Sequence, residues 1–390
     1  MARPKVMVVF GTRPEAIKMA PVVRQLEQYR DVIETVVAVT GQHREILDSV
    51  LEQFRISPAH DLQVMRPSQD LTGTMTRALR GLGRVLSLER PDMVLVHGDT
   101  LTTLAGALSA YFAGCAVGHV EAGLRTGDKK APFPEEMMRD LTDRLSDLLF
   151  PPTTWAKGNL LREGLPPDRM FVTGNTGIDA LLMTVAGDHE FRDPVLAEAV
   201  ERRFILVEVH RRENFGEPLK RICEGLRRIA LSVRDVDLLV SVHPNPNVRP
   251  VIRKSLEGLD RVRLFGPFDY AEWAHLMKRC YLIITDSGGL QEEAPSLGKP
   301  VLLARGKTER PEAVEAGTVR LVGSDPDLIA DSVIELVEDR YSYERMSRAS
   351  NPFGDGKASE RTVGALLYHF GITGDRPEEF AHGGRGGDVA

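Results

Sequence analysis

Acidic side chains stand directly after short apolar runs of the chain, in positions suited to proton transfer. Asp99 follows the run Met93–His97, and Glu121 follows the run Ala116–Val120. Glu135 follows a proline-rich approach and precedes an amphipathic segment. Carboxyl groups can take or deliver a proton on a bound substrate, so these three residues predict an acid–base site. Structural alternatives remain open, because Asp99 can cap the next helix and Glu135 can favour a first helical turn.

Basic side chains occupy corresponding positions after other apolar runs. Arg13 and Lys18 follow the first run, and His210 with Arg211 follows a run in the second half of the chain. Arg310 follows a third run. Cations beside a helix start, where backbone N–H groups are free, favour a diphosphate as the ligand. Lys18 is also compatible with a solvated surface charge.

The stretch Asp286–Glu293 adds a second phosphate-binding signal. Ser287, Gly288 and Gly289 form a small-residue turn between an apolar run and a helix start, so the backbone can approach an anion. Glu293 then places a carboxylate one turn into the helix, where it suits hydroxyl groups better than phosphate. The favoured ligand is therefore a nucleotide sugar, and an ordinary strand-to-helix turn is the alternative.

Apolar runs alternate with amphipathic segments in two series, one in each half of the chain. Strands that alternate with helices form parallel sheets, so we predict an α/β protein with two Rossmann-like domains facing a cleft. The predicted strands are Val6–Phe10, Glu34–Val39, Met93–His97, Ala116–Val120 and Leu148–Phe150 in the first half, and Phe204–Val209, Leu238–Val242, Val262–Phe265, Leu282–Thr285 and Pro300–Leu303 in the second.

The predicted domain bounds follow from these two series. The N-terminal domain, with the acid–base residues, covers residues 1–172 and is completed by a helix at 359–372. The C-terminal domain covers residues 173–358, and residues 374–390 are predicted to be a disordered tail because they are rich in glycine and charge. Ligands bind beyond the carboxyl ends of parallel strands, so we expect the polar residues to line a cleft between the domains.

Composition argues against several functional classes. The 390 residues carry a formal net charge of -6, so the basic excess that nucleic-acid binding requires is missing. No run of about 18 apolar residues predicts a membrane span. The three cysteines have no metal-ligand or disulfide spacing, which fits a reducing cytoplasm. A G-x-G-x-x-G fingerprint is missing after the first strand, so we expect no dinucleotide redox cofactor. No cluster has the spacing of a structural metal site, so we expect no metal, and no Ser-His-Asp elbow is present.

Several ordered stretches carry a joint resemblance to a known family: Phe10–Lys18, Val96–Thr100, Gly118–Thr126, His210–Asn214, Thr285–Pro295, Thr308–Ala313 and Gly317–Val319. They resemble the non-hydrolysing UDP-N-acetylglucosamine 2-epimerases of bacteria, over the chain from Lys5 to about Phe370. The resemblance implies a glycosyltransferase-B-type fold (the UDP-glycosyltransferase and glycogen phosphorylase type) and a homodimer. It also implies the interconversion of UDP-N-acetylglucosamine and UDP-N-acetylmannosamine, which feeds bacterial surface polysaccharides.

The resemblance also implies a reaction and a set of residues. The hydrogen at C2 of the sugar has no adjacent carbonyl group, so its direct removal would leave an unstabilised carbanion. Elimination of UDP instead gives a 2-acetamidoglucal, to which UDP re-adds after a proton returns to the other face of C2. The acid–base candidates are Asp99, Glu121 and Glu135, and His210 stabilises the departing diphosphate. The remaining substrate contacts are Arg13, Lys18, Phe268, Trp273, Ser287, Gly288, Gly289, Glu293 and Arg310.

Bacterial members of the family can bind a second UDP-N-acetylglucosamine as an activator beside the site. The residues of this chain that resemble the activator set are Gln42, Gln69, Glu136, Arg211 and His243.

Two residues depart from the family pattern. Glu208 replaces the usual threonine or small residue two positions before His210, where it could raise the pKa of that histidine, reshape the phosphate-binding contacts or point away. Met138 stands where an asparagine is common. These departures leave alternatives open: epimerisation of another UDP-sugar such as a UDP-diacetamido-glucuronate, hydrolysis to free N-acetylmannosamine, a glycosyltransferase reaction, or a non-catalytic nucleotide-sugar sensor. Which of the three acids takes the C2 proton is also open.

Overall fold

The computed structural model describes residues 3–41, 44–66 and 70–382, without the side chains of residues 44–46. The chain divides into two compact units. Unit 1 comprises Met1–Ala180 and Phe353–Ala381, and unit 2 comprises Leu181–Pro352. The chain therefore passes from the first unit to the second after Ala180, rather than at the predicted position 172, and it returns at Phe353.

Within the described residues, unit 1 contains a six-stranded parallel sheet. Its strands are β1 (Lys5–Phe10), β2 (Glu34–Val39), β3 (His60–Asp61), β4 (Met93–His97), β5 (Ala116–Val120) and β6 (Leu148–Phe150). Their order is β3-β2-β1-β4-β5-β6. Strands β1 and β4 are apolar and buried almost throughout, because helices cover both faces of a parallel sheet. The helices are α1 (Arg13–Gln28), α2 (Arg44–Gln53), α3 (Leu71–Glu89), α4 (Leu101–Ala113), α5 (Glu135–Leu145), α6 (Thr154–Arg162) and α7 (Thr176–Val185), the last of which crosses into unit 2.

Unit 2 contains a second six-stranded parallel sheet in its described part. Its strands are β7 (Phe204–Glu208), β8 (Asp237–Ser241), β9 (Val262–Phe265), β10 (Leu282–Thr285), β11 (Val301–Leu303) and β12 (Val319–Leu321). Their order is β12-β11-β10-β7-β8-β9, which places the carboxyl ends of β7 and β10 side by side. The helices are α8 (Pro194–Ala199), α9 (Glu217–Ser232), α10 (Arg249–Leu256), α11 (Tyr270–Arg279), α12 (Gly288–Glu293), α13 (Pro311–Glu315), α14 (Pro326–Glu338) and α15 (Arg340–Ser347).

The predicted α/β class is confirmed, and two edge strands were missed. All ten predicted strands are present, and the strand ends that differ from the prediction differ by one residue: Lys5, Glu208, Asp237, Ser241 and Val301. The missed strands are β3, of two residues, and β12, of three, and each lies at an edge of its sheet. Such short, half-exposed strands carry too little apolar pattern to be distinguished from loops.

The C-terminal helix α16 (Ala358–His369) belongs to unit 1. Its first turn is capped by a carboxylate from another segment, because Asp179 of α7 accepts hydrogen bonds from the backbone N–H groups of Ala358 (3.2 Å) and Ser359 (2.7 Å). The hydroxyl of Ser359 donates to the same carboxylate at 2.6 Å. Asp179 thereby satisfies orphan donors at the helix start and fixes α16 to α7.

The predicted disordered tail is wrong for its first part. The guanidinium of Arg376 donates to the carbonyl oxygen of Met170 at 2.6 Å, and Phe380 donates its backbone N–H to Val172 at 2.7 Å. Glu379 forms an ion pair with Lys157 at 2.7 Å. Glycine and charge content suggested disorder, but these contacts anchor the segment on unit 1. Residues 383–390 of the predicted tail lie outside the described residues.

Two further features concern membranes and metals. In the part of the chain that the structure describes, no helix combines the length and apolar character needed to cross a membrane. The same residues contain no cluster of three or more histidine, cysteine or carboxylate side chains arranged to hold a metal ion. The cysteines Cys115, Cys223 and Cys280 are free.

Candidate functional site

A buried carboxylate ties together two loops at the carboxyl edge of the unit 1 sheet. Glu15 accepts hydrogen bonds from the backbone N–H groups of Gly11 (3.1 Å) and Thr12 (2.7 Å), before and at the start of α1. Its other oxygen accepts from the hydroxyls of Thr100 (2.7 Å) and Thr103 (3.1 Å) at the start of α4. The turns after β1 and β4 are therefore fixed to one another. Glu15 was not among the predicted site residues, although Thr12-x-x-Glu15 has the spacing of a capping box.

Glu121 lies at the end of β5 with a left-handed backbone, φ 66°, which is uncommon for a residue other than glycine. Its carboxylate forms an ion pair with Lys18, accepts a hydrogen bond from Asn175 (3.2 Å) and lies 3.7 Å from Nε2 of His97. Burial alone would raise the pKa of Glu121, but Lys18 and His97 outweigh burial and hold this pKa well below its ordinary range. Glu121 is therefore a carboxylate at neutral pH, and Lys18, predicted to contact substrate, is its counter-ion.

Asp99 is held by a cation from α5. It forms an ion pair with Arg139, whose guanidinium also lies 3.5 Å from Glu136. The other oxygen of the buried Glu136 accepts hydrogen bonds from the backbone N–H groups of Thr126 (2.9 Å) and Gly127 (3.0 Å). Helix α5 therefore links Asp99 to the loop that follows β5. Arg139 was not among the predicted site residues; its signal in the sequence is the i, i+3 spacing from Glu136 on a predicted helix.

A cavity of about 830 Å³ in unit 1 brings Asp99 and Glu135 to one surface. Glu135 is half-buried and has no hydrogen-bond or ion-pair partner within the described ranges. Met138 is 8% exposed and gives this cavity an apolar wall beside the two acids. The other lining residues are Thr12, Met65, Asp70, Leu71, Thr72, Thr74, Thr100, Leu101 and Pro134. An uncompensated carboxylate near an ion-paired one, on the wall of a cavity, can exchange a proton with a bound ligand.

A buried charge network supports the Gly98 turn from behind. His119 lies between Asp143, 2.7 Å from Nδ1, and the carbonyl oxygen of Gly98, 2.7 Å from Nε2. Asp143 also pairs with Arg125 at 2.8 Å and accepts the backbone N–H of Gly123 at 3.2 Å. Burial would raise the pKa of Asp143, but His119 and Arg125 outweigh burial and lower it. The network fixes the loops that follow β4 and β5, which carry two of the three predicted acids.

Asp286, at the end of β10, holds the loop that follows β7. The carboxylate is fully buried and accepts hydrogen bonds from the backbone N–H groups of His210 (3.0 Å) and Arg211 (2.8 Å). It also accepts from the side-chain amide of Asn214 at 2.8 Å, and that amide donates to the carbonyl oxygen of Ala304 at 3.0 Å. The first residue of the predicted phosphate turn is therefore a support for the His210 loop.

His210 belongs to a cluster of titratable groups. Its Nδ1 atom lies 3.9 Å from Glu208 and 3.9 Å from Asp286, and its ring stacks on His243 with centroids 4.9 Å apart. Burial lowers the pKa of His210; Asp286 opposes this effect, and His243 and Arg211 add to it. Burial, followed by Asp286, raises the pKa of Glu208 to about 7. The suggestion that Glu208 raises the pKa of His210 is therefore wrong, because the pKa of His210 is lowered, whereas the pKa of the Glu208 carboxyl group is raised.

The small-residue turn at the start of α12 has a guanidinium packed over it. A Cβ atom at Gly288 would lie 2.8 Å from Nη1 of Arg310, so a larger residue there would displace this guanidinium. Arg310 forms ion pairs with Glu292 and, at 3.0 Å, with Glu309. The turn and Arg310 are thus brought together as predicted, although acids already surround the cation. Gly289 follows on α12, and Glu293 is half-buried at its end.

Phe268 and Trp273 form a half-buried aromatic pair at the carboxyl edge of the unit 2 sheet. Their rings are stacked with centroids 6.0 Å apart, and Phe265 at the end of β9 lies 5.7 Å from Phe268. Asp269 caps α11 by accepting the N–H of Glu272 at 2.8 Å, which fixes the turn that carries the pair. Flat aromatic faces of this kind suit a nucleobase.

Three further residues were predicted to contact the substrate or the activator. Arg13 is half-buried at the start of α1 and has no hydrogen-bond or ion-pair partner among the described residues, so its cation is available to a ligand. Gln42 and Gln69 of the predicted activator set lie outside the described residues.

Comparisons with known proteins agree over nearly the whole chain. A family model described as UDP-N-acetylglucosamine 2-epimerase matches residues 24–367. The UDP-N-acetylglucosamine 2-epimerase of Bacillus subtilis (strain 168) is 49% identical over 380 residues, which are 97% of this chain and 99% of the relative. The crystal structure of the Neisseria meningitidis UDP-GlcNAc 2-epimerase bound to UDP-GlcNAc is 45% identical, with a TM-score of 0.82 over 93% of this chain and 99% of its own.

A more distant structure bears on the fold alone. The glycotransferase of kitacinnamycin is 14% identical and has a TM-score of 0.63 over 95% of this chain and 99% of its own. The glycosyltransferase-B-type fold class that the resemblance implied is thus confirmed. Family model and relatives together confirm the resemblance: the chain belongs to the UDP-N-acetylglucosamine 2-epimerase family.

Proposed function

We propose that this protein interconverts UDP-N-acetylglucosamine and UDP-N-acetylmannosamine in the cytoplasm without hydrolysing them. The observation that carries the proposal is the pair of carboxyl groups, Asp99 and Glu135, on the wall of one cavity in a chain of this family. The Neisseria meningitidis relative was crystallised with UDP-GlcNAc, which supports the choice of substrate.

The chemistry that fits these groups is elimination followed by addition. A carboxylate takes the proton from C2, a double bond forms between C2 and C1, and the electron pair of the C1–O bond leaves with UDP. In the return step a carboxylic acid delivers a proton to the opposite face of C2, and a diphosphate oxygen of UDP attacks C1. Protons and electron pairs balance, and neither step requires a redox cofactor.

The three acids have different surroundings, which supports different roles. Glu135 has no cation beside it among the described residues, so it is the first candidate to take the C2 proton. Asp99, paired with Arg139, is the candidate for the other face of C2. Glu121 remains ionised beside Lys18 and is a poor proton donor, so we assign it to the orientation of Lys18 toward the substrate.

Unit 2 offers the groups that a departing UDP requires. We propose that His210, Arg310 and the turn Ser287–Gly289 contact the diphosphate, that Glu293 contacts the ribose, and that Phe268 and Trp273 contact the uracil. Arg13 supplies a further cation to phosphate or sugar oxygens. Cations and backbone N–H groups stabilise a leaving diphosphate because negative charge develops on it as the C1–O bond breaks.

Incubation with UDP-N-acetylglucosamine in D₂O, followed by NMR, tests the reaction. The expected result is deuterium at C2 of both epimers with UDP conserved in the nucleotide sugars, because the C2 proton exchanges with solvent through the carboxyl groups. Free N-acetylmannosamine with UDP would identify a hydrolysing enzyme. Unlabelled substrate without any epimer would contradict epimerisation of this sugar, and the same experiment on a UDP-diacetamido-glucuronate would test the alternative substrate.

We also propose a homodimer that forms through the ends of α3 and α4. Leu88, Tyr111 and Phe112 expose 72%, 62% and 73% of their surface there, which is unusual for large apolar side chains and favours a protein contact. Sedimentation is expected to give twice the chain mass for the wild type, and a lower mass for Phe112→Ser. Tyr341→Ser is the matched control, because Tyr341 is 75% exposed in unit 2. A wild-type monomer would overturn this assembly.

A second UDP-N-acetylglucosamine is proposed as an activator, bound through Gln42, Gln69, Glu136, Arg211 and His243. His243 stacks on His210, so an occupant at His243 would act next to the diphosphate site. A lag in the reaction of UDP-N-acetylmannosamine that added UDP-N-acetylglucosamine removes would support the proposal, and linear kinetics without activation would contradict it.

A further inference from the structure

A carboxyl group and a histidine ring nitrogen, both without a hydrogen-bond partner, face one another at the end of β7. Oε1 of Glu208 lies 3.9 Å from Nδ1 of His210. Nδ1 is buried and makes no hydrogen bond within the described residues, and the Glu208 side chain makes none there either. At 3.9 Å the two atoms are too far apart for a hydrogen bond, but a small side-chain rotation closes that gap.

The other acid near His210 is already committed. Asp286 also lies 3.9 Å from Nδ1, but its oxygens accept the N–H groups of His210 and Arg211 and the amide of Asn214. Exchanging a proton with His210 would break those bonds and release the loop. Glu208 carries no such bonds, so it is the group that can exchange a proton with Nδ1 at little structural cost.

The charges around the pair keep one proton close to both groups. Burial raises the pKa of Glu208 to about 7, with Asp286 adding to the rise and Arg211 opposing it. Burial, His243 and Arg211 lower the pKa of His210, and Asp286 opposes them. Just below pH 7, more than half of Glu208 is therefore in the carboxylic acid form, beside a neutral imidazole. A diphosphate brought to His210 favours the imidazolium ion and reverses this distribution.

We propose that Glu208 is a positioning residue that lends its proton to His210 when UDP is bound or released. The O–H bond of Glu208 breaks as an N–H bond forms at Nδ1, so Glu208 becomes a carboxylate and His210 becomes an imidazolium ion. Nε2–H of that ion then donates to a diphosphate oxygen, and the proton returns to Glu208 when UDP re-adds to the sugar. The inference rests on the proposed function, and it deepens the role of His210 there.

Calorimetry of UDP binding, in buffers of different ionisation enthalpy, counts the protons involved. Just below pH 7 the wild type is expected to take up clearly less than one proton per UDP, because Glu208 supplies the proton in those molecules where it is protonated. Glu208→Gln and Glu208→Thr have no such proton to lend, so they are expected to take up close to one. Glu198→Gln, an exposed acid in unit 2, is the control and should behave as the wild type. Equal proton uptake in the wild type and both Glu208 variants would overturn the inference.

The pH profile of catalysis gives a second readout. Without Glu208, His210 must take its proton from solvent with a lowered pKa, so the alkaline limb of kcat/KM is expected to move to lower pH by about one unit. That shift corresponds to a roughly tenfold loss above pH 7. A uniform loss of kcat/KM at all pH values would indicate a structural role of Glu208 only. It would contradict the proton transfer from Glu208 to His210, which we call the relay. If the D₂O experiment shows no epimer while the proton counts differ as expected, the proposed reaction fails and the relay stands.

Protein stability offers a readout that needs no ligand. The folded-state pKa of Glu208, about 7, lies above its ordinary value of 4.5, so the folded protein binds this proton more tightly than the unfolded chain. The contribution of Glu208 to stability is therefore complete below pH 4.5 and is lost as the pH rises to 7. Glu208→Gln is expected to show a smaller fall in Tm between pH 5 and pH 8 than the wild type. An equal fall in Tm in both proteins would show that the pKa of Glu208 is not raised, which would contradict the proposed proton transfer to His210.

Discussion

Replacing Glu135 by glutamine is expected to lower the rate of epimerisation at least about 100-fold, the usual scale for a lost acid–base group. Glu135 lines the unit 1 cavity without a compensating cation in the described part of the chain, so its carboxylate is the one best placed to accept a proton. Asp99→Asn is expected to cost as much, because it removes the second carboxyl group of the cavity and leaves Arg139 with the more distant Glu136 as its remaining ion-pair partner among the described residues. Initial rates from UDP-N-acetylglucosamine measure both effects.

Glu121→Gln is expected to lower turnover by a similar factor for a different reason. The variant leaves Lys18 without its counter-ion, so its loss should appear in substrate binding as well as in turnover. Glu52→Gln, on the exposed face of α2, is the control and should keep the wild-type rate. Near-normal turnover in all three acid variants would contradict the assignment of the chemistry to unit 1. Retained UDP binding distinguishes lost chemistry from a lost fold.

The fold was predictable because its signals are local. The five-residue strand β4 (Met93–His97), for example, is buried throughout. A parallel sheet that helices cover on both faces buries its strands in this way. The edge strand at His60–Asp61 was not predictable, because two polar residues become a strand only through pairing with β2. The contacts of Arg376 and Phe380 were equally hidden, since they depend on partners far away in the sequence.

The positions of the candidate site residues along the chain were predictable, but the ion pairs that their charged groups form were not. The rule that ligands meet the carboxyl ends of parallel strands correctly grouped Asp99 with Glu135. It could not show that Arg139 neutralises Asp99 or that Glu292 pairs with Arg310, because both ion pairs depend on side-chain placement after folding. The left-handed backbone of Glu121 also has no local sequence signal, since it results from the turn that follows β5.

Asp286 was assigned to a phosphate turn from its neighbours, and its actual contacts explain more of unit 2. A fully buried carboxylate can accept several donors at once and can satisfy loop groups that water does not reach. Asp286 accepts the backbone N–H groups of His210 and Arg211 and the amide of Asn214, which also donates to the carbonyl oxygen of Ala304. The loop that presents His210 therefore depends on the Asp286 side chain at the end of the neighbouring strand. We expect a substitution of Asp286 to affect both protein stability and the position of His210.

Asp286→Ala is consequently expected to lower the free energy of unfolding by about 3–5 kcal/mol, the scale for removing one partner of a buried, charge-assisted network. Three donors would lose their acceptor, and His210 would no longer be presented to the diphosphate, so UDP binding should be lost as well. Urea denaturation of the variant and calorimetry with UDP measure the two effects.

Asp325→Ala provides the matched control for this change. Asp325 also accepts two backbone N–H groups, at the start of α14, but about half of its side chain is exposed, so water can replace it. The expected cost is about 1 kcal/mol, with UDP binding unchanged. If Asp286→Ala were no more destabilising than Asp325→Ala and still bound UDP, the His210 loop would have to be held by other contacts. Burial, rather than the number of hydrogen bonds, is therefore what separates the two carboxylates.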